Sequence, residues 1–122
     1  MEKHRFGHQA EELAAHTLQQ KGYHILERNW RISCGELDLV AKDGEILVFC
    51  EIKARASVWG GEPGEAIDGR KQNRLLKLAT AYLRAHPHLS GSVCRFDAVL
   101  IWRAWGQWRI EVIADAFRPG WE

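Results

Sequence analysis

Two apolar segments flank the dipeptide Asp43-Gly44 near the middle of the chain, residues 37–41 before it and residues 46–52 after it. An Asp-Gly dipeptide between apolar runs is a strong signal for a β-hairpin with a two-residue turn. The pattern therefore predicts an antiparallel hairpin over about residues 36–54, with Asp43 and Gly44 as the two central turn residues.

Four charged residues fall on one face of this predicted hairpin. The predicted turn pairs Asp38 with Phe49 and Glu36 with Glu51, and alternate residues share a face, which adds Lys53 to the group. Three carboxylates this close repel one another unless a cation or Lys53 offsets their charge. Their oxygen atoms suit a hard divalent cation such as Mg²⁺. The face therefore predicts a site for metal-assisted hydrolysis.

The alternative to a metal site is an ordinary solvent-exposed face of the hairpin, since charged residues are mostly exposed. The second strand of the hairpin argues against it, because residues 47–50 are all apolar and read as a central strand that is buried on both faces. Carboxylates at the end of such a strand are costly unless they are paired or bound to a metal.

Short motifs accompany these residues over about residues 7–100. Asp38 and Glu51-x-Lys53 form a D…ExK pattern. The other segments are Gly7-xx-Ala10-Glu11-xx-Ala14, Gly22-Tyr23, Arg28-Asn29-x-Arg31, Gly35-Glu36-Leu37-Asp38-Leu39, Val48-Phe49-x-Glu51-Ile52-Lys53-x-Arg55, Lys71, Ala81-Tyr82-Leu83 and Arg95-Phe96-Asp97. The ordered set resembles the UPF0102 (YraN-like) family of the PD-(D/E)xK nuclease superfamily, which is similar to archaeal Holliday-junction resolvases.

This resemblance implies a restriction-endonuclease-like α/β fold, with a mixed central β-sheet flanked by helices, and DNA hydrolysis with Mg²⁺ or Mn²⁺. Asp38 and Glu51 are the expected metal ligands, aided by the backbone carbonyl of Ile52. Lys53 is expected to orient or activate water and to stabilise the transition state. Glu36 is expected to act as a further base or ligand.

Glu11 is a further metal-ligand candidate on the first predicted helix, residues 8–21. It precedes Ala14 and Leu18 by one turn and two turns, so it lies near the apolar stripe. The resemblance implies that a helical glutamate at this position completes the metal site. Glu12 is the alternative nearer to solvent.

Charge is distributed unevenly although the net charge is only +1. Residues 36–51 hold five acidic residues and one lysine, whereas residues 52–86 hold seven Lys or Arg and three acidic residues. An acidic cluster beside a basic surface fits metal ions that meet a phosphate backbone, although a charged helix face is an equally simple explanation. The candidate nucleic-acid-binding residues are Arg55, Arg70, Lys71, Arg74 and Lys77.

The expected partner is DNA. No residue pattern indicates that bases are read, so we expect the protein to recognise DNA structure rather than sequence. Branched or damaged DNA are the candidate forms. Analogy with junction resolvases implies a homodimer, since they need two active sites. Two alternatives stay open: a nucleic-acid-binding module with a vestigial metal site, and an assembly factor that uses exposed tryptophans such as Trp59 and Trp121.

Length and composition predict one domain over residues 1–122 with the element order α-β-β-β-α-β-β. The three cysteines are widely spaced and form neither a zinc motif nor a disulfide framework. No apolar run reaches the length of a membrane span and no signal-peptide core is present, so we expect a cytoplasmic protein without a membrane partner. A second helix is predicted over residues 66–85, with Leu75, Leu78, Ala79 and Tyr82 facing inward.

Overall fold

The computed structural model describes residues 2–55 and 67–118, with side chains described from residue 7 onward. Residues 57–64, whose three glycines and one proline predict a loop, lie outside these ranges, as do Trp59 and Trp121. The elements occur in the predicted order: α1 (Glu2–Gln20), β1 (His24–Ile32), β2 (Gly35–Asp43), β3 (Ile46–Arg55), α2 (Gly69–Ala85), β4 (Cys94–Ala104) and β5 (Gln107–Phe117), with a short 3₁₀ turn at Pro87–Leu89.

The five strands form one mixed α/β sheet in the order β1-β2-β3-β4-β5. Strands β3 and β4 are parallel, with Glu51 opposite Ala98 and Lys53 opposite Leu100, and the other neighbours are antiparallel. A parallel pair needs a long crossover, and the segment that holds α2 supplies it. The sheet is therefore central and mixed, as predicted.

The two helices pack on opposite faces of the sheet. Residues of α1 such as Ala14 and Leu18 pack with one set of strand residues, here called the α1 face. Residues of α2 pack with the alternate set, the α2 face, which includes Phe49 and Phe96. The predicted inward residues of α2 are all buried, namely Leu75, Leu78, Ala79 and Tyr82. Strand residues of both faces are thus removed from water, which explains the apolar run in β3.

The predicted turn of the β2–β3 hairpin is wrong by one residue. Asp43 pairs with Ile46, so Gly44 and Glu45 are the central turn residues. Gly44 has φ 63°, and glycine at the first central position is typical of a type II′ turn. The pairing shifts by two residues, and Val40 rather than Asp38 lies opposite Phe49. A shift of two would by itself leave every side chain on its predicted face.

The simple alternation predicted for β2 breaks near Asp38. Leu39 packs on the α1 face, whereas Leu37, two residues away, packs on the α2 face. At the same level of the neighbouring strand, Asn29 has φ 56°, a left-handed conformation that asparagine tolerates better than most residues. Alternation therefore does not place Glu36 on the face of Asp38, contrary to the prediction.

Helix α2 begins later than predicted, at Gly69 instead of residue 66. Asp68 caps it, because its Oδ1 atom accepts a hydrogen bond from the Lys71 backbone N–H at 3.0 Å. No helix in the described part of the chain is long and apolar enough to cross a membrane.

Candidate metal and phosphate site

Asp38 and Glu51 meet where the β2–β3 ladder ends. The last paired residues are Leu39 and Cys50. Beyond them, the Ile52 N–H donates a hydrogen bond to Asp38 Oδ2 at 2.8 Å. The Asp38 side chain thus takes over the role of a backbone acceptor and holds its carboxyl group beside β3. Two predicted metal ligands are brought together in this way, next to the main chain of Ile52.

The environment of Asp38 disfavours an isolated negative charge. Burial, a hydrogen bond with Glu51 and the negative charge of Glu51 raise the pKa of Asp38 to about 9. The hydrogen bond from Ile52 opposes this shift, and the charge of Glu36 adds slightly to it. Two carboxyl groups share a half-buried space, so a proton or a cation must relieve their repulsion.

Lys53 lies two residues beyond Glu51 on the same strand face and is half-buried. Burial, a hydrogen bond with Lys71 of α2 and the like charge of Lys71 together lower the pKa of its ammonium group to about 8. Glu51 acts in the opposite direction. Lys53 and Lys71 therefore form a close cationic pair beside the two carboxyl groups, an arrangement that attracts an anion.

Glu36 is close enough to influence Asp38, but its carboxylate is bound elsewhere. Arg31 of β1 donates from Nη2 to Glu36 Oε2 at 2.8 Å and from Nε to the same oxygen at 3.2 Å. Arg31 occupies one of the two carboxylate oxygens, and the role of Glu36 as a base or ligand stays a prediction.

Glu11 and Glu12 of α1 have different surroundings. Glu11 is half-buried on α1. Glu12 is more exposed and forms an ion pair with Arg28 of β1 at 2.9 Å. The alternative Glu12 is thus bound to Arg28, and the predicted ligand role of Glu11 stays a prediction.

The basic residues predicted to bind nucleic acid lie mostly on α2. Residues 69–85 contain five Lys or Arg and no acidic residue. Arg70, Arg74 and Lys77 are exposed, as expected for a stripe opposite the buried side of the helix. Arg55 is exposed at the end of β3, two residues beyond Lys53. The cationic surface therefore runs from the candidate site along α2.

Within residues 2–55 and 67–118, no group of three or more His, Cys, Asp or Glu side chains is arranged to hold a metal ion. The donor set at this position is two carboxyl groups, Asp38 and Glu51. Mg²⁺ is usually held by only one or two protein carboxylates, and waters and substrate phosphates complete its shell. The residues present fit such an ion, with the phosphate side supplied by the Lys53–Lys71 pair.

A buried polar network surrounds the Arg95-Phe96-Asp97 motif. The motif was noted in the sequence, but the network was not predicted from it. Asp97 is fully buried and accepts hydrogen bonds from Tyr23 Oη at 2.6 Å, from Arg95 Nε at 2.8 Å and from the Asp115 N–H at 2.9 Å. Arg95 also donates to Asp43 Oδ2 at 2.9 Å. The network joins three strands and the chain segment before β1. Its partners are far apart in sequence, so no local pattern indicates it.

Comparison with known proteins identifies relatives along almost the whole chain. The chain is 52% identical over 116 residues to a UPF0102 protein of Magnetococcus marinus, covering 95% of this chain and 94% of the relative. It is 49% identical over 114 residues to one of Frankia casuarinae, with 93% of each chain covered. A protein of Moorella thermoacetica is 45% identical over 122 residues, covering 96% of this chain and 98% of the relative.

A family model described as "Uncharacterised protein family UPF0102" matches residues 10–101. This match includes Asp38, Glu51, Lys53 and Asp97. The chain therefore belongs to the UPF0102 family.

Proposed function

We propose that this protein is a metal-dependent DNA endonuclease of the PD-(D/E)xK type that acts on DNA structure rather than sequence. The observation that carries the proposal is the junction of Asp38 and Glu51 at the end of the β2–β3 ladder, with the Lys53–Lys71 pair beside it. Carboxylates for a hard cation and ammonium groups for a phosphate are the two parts that phosphodiester hydrolysis needs.

Each residue has a distinct role in this proposal. Asp38 and Glu51 hold one or two Mg²⁺ or Mn²⁺ ions, aided by the Ile52 carbonyl and by Glu11. A bound divalent ion supplies a more acidic water molecule and positive charge near the phosphate. Lys53 orients the attacking water and stabilises negative charge that develops on the phosphate in the transition state. Lys71 and Arg55 hold the phosphate groups.

The exposed stripe of α2 provides the proposed track for the DNA backbone. Contacts between Lys or Arg and phosphates are independent of sequence and release counterions. The candidate residues are all of this type, so they position DNA without reading bases. A structural feature such as a branch or an end then selects the substrate.

A melting experiment tests the metal site directly. Mg²⁺ or Mn²⁺ should stabilise the folded protein by about 1.4 kcal/mol at an ion concentration tenfold above Kd. For a chain of this size, that corresponds to a rise of about 4–6 °C in Tm. Asp38→Ala and Glu51→Ala should each abolish the rise, because they remove carboxylate ligands. Differential scanning fluorimetry across an ion titration measures it.

Glu45→Ala is the matched control for these variants. Glu45 is exposed in the β2–β3 turn, at the other end of the hairpin, so its removal should leave the metal response intact. Equal responses in the wild-type protein, Asp38→Ala and Glu51→Ala at millimolar ion would contradict the metal site.

The basic stripe is tested by the salt dependence of DNA binding. Combined replacement of Arg70, Arg74 and Lys77 by alanine should weaken binding to all sequences alike. The slope of log K against log salt should become shallower by about 0.9 for each duplex phosphate that the variant no longer neutralises. Fluorescence anisotropy at several salt concentrations measures the slope. Lys21→Ala, which removes an exposed lysine after α1, should leave it unchanged. An unaltered slope in the triple variant would identify the stripe as an ordinary solvated face.

A further inference from the structure

The turn between β4 and β5 presents a tryptophan to solvent. Ala104 pairs with Gln107, so Trp105 and Gly106 are the two central residues of the turn. Trp105 is 95% exposed, more than any other large hydrophobic residue in the described part of the chain. The fold therefore displays this aromatic ring at a hairpin tip instead of burying it.

The backbone of Trp105 makes this display costly. Trp105 has φ 56° and Gly106 has φ 74°, as in a type I′ turn, where asparagine, aspartate or glycine is preferred at the first position. A bulky residue in the left-handed region is strained. The ring gains nothing from packing to offset that strain, which indicates that an external contact uses it.

The tip lies at the end of the sheet that holds the candidate site. Lys53 pairs with Leu100 on β4, and Trp105 follows Leu100 by five residues, an extended distance of about 17 Å. Between them, Arg55 pairs with Trp102, and Trp102 pairs with Arg109 of β5. Paired residues share a face, so this row continues the face of Lys53 across three strands.

The hairpin has the composition of a surface for nucleic acid. Residues 98–110 contain three tryptophans and two arginines and no acidic residue. Arg109 is exposed and Trp102 is half-buried on the face of Lys53. On the other face, the Cζ atom of Arg103 lies 5.0 Å from the centroid of the Trp108 ring. The Nη2 atom of Arg103 donates a hydrogen bond to the Gly106 carbonyl at 3.0 Å, which stabilises the turn.

We infer that this hairpin binds unpaired nucleotides of a DNA strand, with a base stacked on Trp105 and phosphates held by Arg109. Aromatic rings interleaved with cationic residues are the usual platform for single-stranded nucleic acid, because every base offers a face for stacking. The inference rests on the proposed function, because it places at this tip the DNA strand that extends from the proposed cleavage site at Lys53. The substrate class is then DNA with a single-stranded segment next to the cleaved position.

The test compares binding of single-stranded and blunt duplex DNA to the Trp105→Asn variant. Asparagine favours the left-handed region, so the variant should unfold at or above the wild-type Tm while the stacking ring is removed. Affinity for a labelled oligothymidine of about 12 nucleotides should fall about tenfold, and affinity for blunt duplex should stay within about twofold. Trp105→Phe, which keeps an aromatic ring, should stay close to the wild type. Anisotropy titrations in a chelator measure binding without cleavage.

Val93→Ala is the matched control, because Val93 is 70% exposed at the opposite end of β4 and its replacement should not alter binding. Unchanged oligothymidine affinity in Trp105→Asn would overturn the inference, as would equal weakening for both DNA forms. A change in oligomeric state by sedimentation, with unchanged DNA affinity, would assign the tip to a second copy of the chain and overturn it as well. Metal response and cleavage are measured separately, so a failure of the nuclease proposal is distinguishable from these outcomes.

Discussion

Replacing Lys53 by alanine is expected to slow single-turnover DNA cleavage by about 100-fold or more, the scale of one electrostatic catalytic group. Lys53 follows Glu51 on the same strand face and is paired with Lys71. Its charge is therefore held where a phosphate would meet the carboxylate-bound ion. DNA affinity should change only a few-fold, because several other basic residues share ground-state binding.

The substitution Lys53→Arg should restore little activity, because a planar guanidinium does not replace a compact ammonium group in the confined space beside Lys71. Lys21→Ala is the charge-matched control and should cleave at the wild-type rate. The substrate is chosen by a screen of duplex, flap, single-stranded and four-way-junction DNA with Mg²⁺ and Mn²⁺. A binding titration in Ca²⁺ runs beside the cleavage assay.

Two results would contradict the nuclease proposal. One is a Lys53→Ala variant that cleaves as fast as the wild-type protein. The other is a wild-type protein that cleaves none of these DNA structures with either ion. Binding without cleavage would favour the alternative of a nucleic-acid-binding module on the same fold.

The Asp97→Ala variant is expected to lose about 3–5 kcal/mol of the free energy of unfolding. Asp97 is fully buried, and its removal leaves Tyr23 Oη, Arg95 and the Asp115 N–H without their acceptor. The guanidinium of Arg95 is itself mostly shielded from water and keeps its ion pair with Asp43. The loss of one of the two carboxylates that face this guanidinium explains why the destabilisation should exceed that from removing an ordinary hydrogen bond.

Urea unfolding followed by circular dichroism measures this destabilisation. Asp97→Asn provides a milder variant if the alanine variant does not fold, because it keeps the volume and one acceptor oxygen. Glu12→Ala, which breaks the surface ion pair with Arg28, should have a much smaller effect. If Asp97→Ala unfolded at the wild-type urea concentration, the network would contribute nothing to stability.

Several features of this protein follow from local sequence patterns. The apolar runs around Asp43-Gly44 predict the β2–β3 hairpin, and the helical spacing of Leu75, Leu78 and Tyr82 predicts the buried side of α2. Both are confirmed because period-2 and period-3.6 patterns reflect burial within a single element. The predicted turn is one residue away from the observed one, since Asp-Gly and Gly-Glu both place Gly44 in the left-handed region.

The candidate site was only partly predictable. The spacing of Glu51 and Lys53 places both on one face, because alternation holds along β3. Alternation fails at Asp38, at the level where Asn29 of the neighbouring strand has a left-handed backbone conformation. The Asp38–Ile52 hydrogen bond, rather than the predicted ladder pairing, brings the two carboxyl groups together.

The amino-acid sequence by itself therefore determined which segments form strands and helices, which of their sides are apolar, and which chemical groups are available. Only the tertiary structure decided that β3 lies parallel to β4, that α1 and α2 cover opposite faces, and that Asp97 is buried against Tyr23. The physical reason is that local periodicity records how deeply a residue is buried, whereas the identity of its partners depends on long-range pairing. Asp38 gains its position from β3, through a contact that its own segment does not contain.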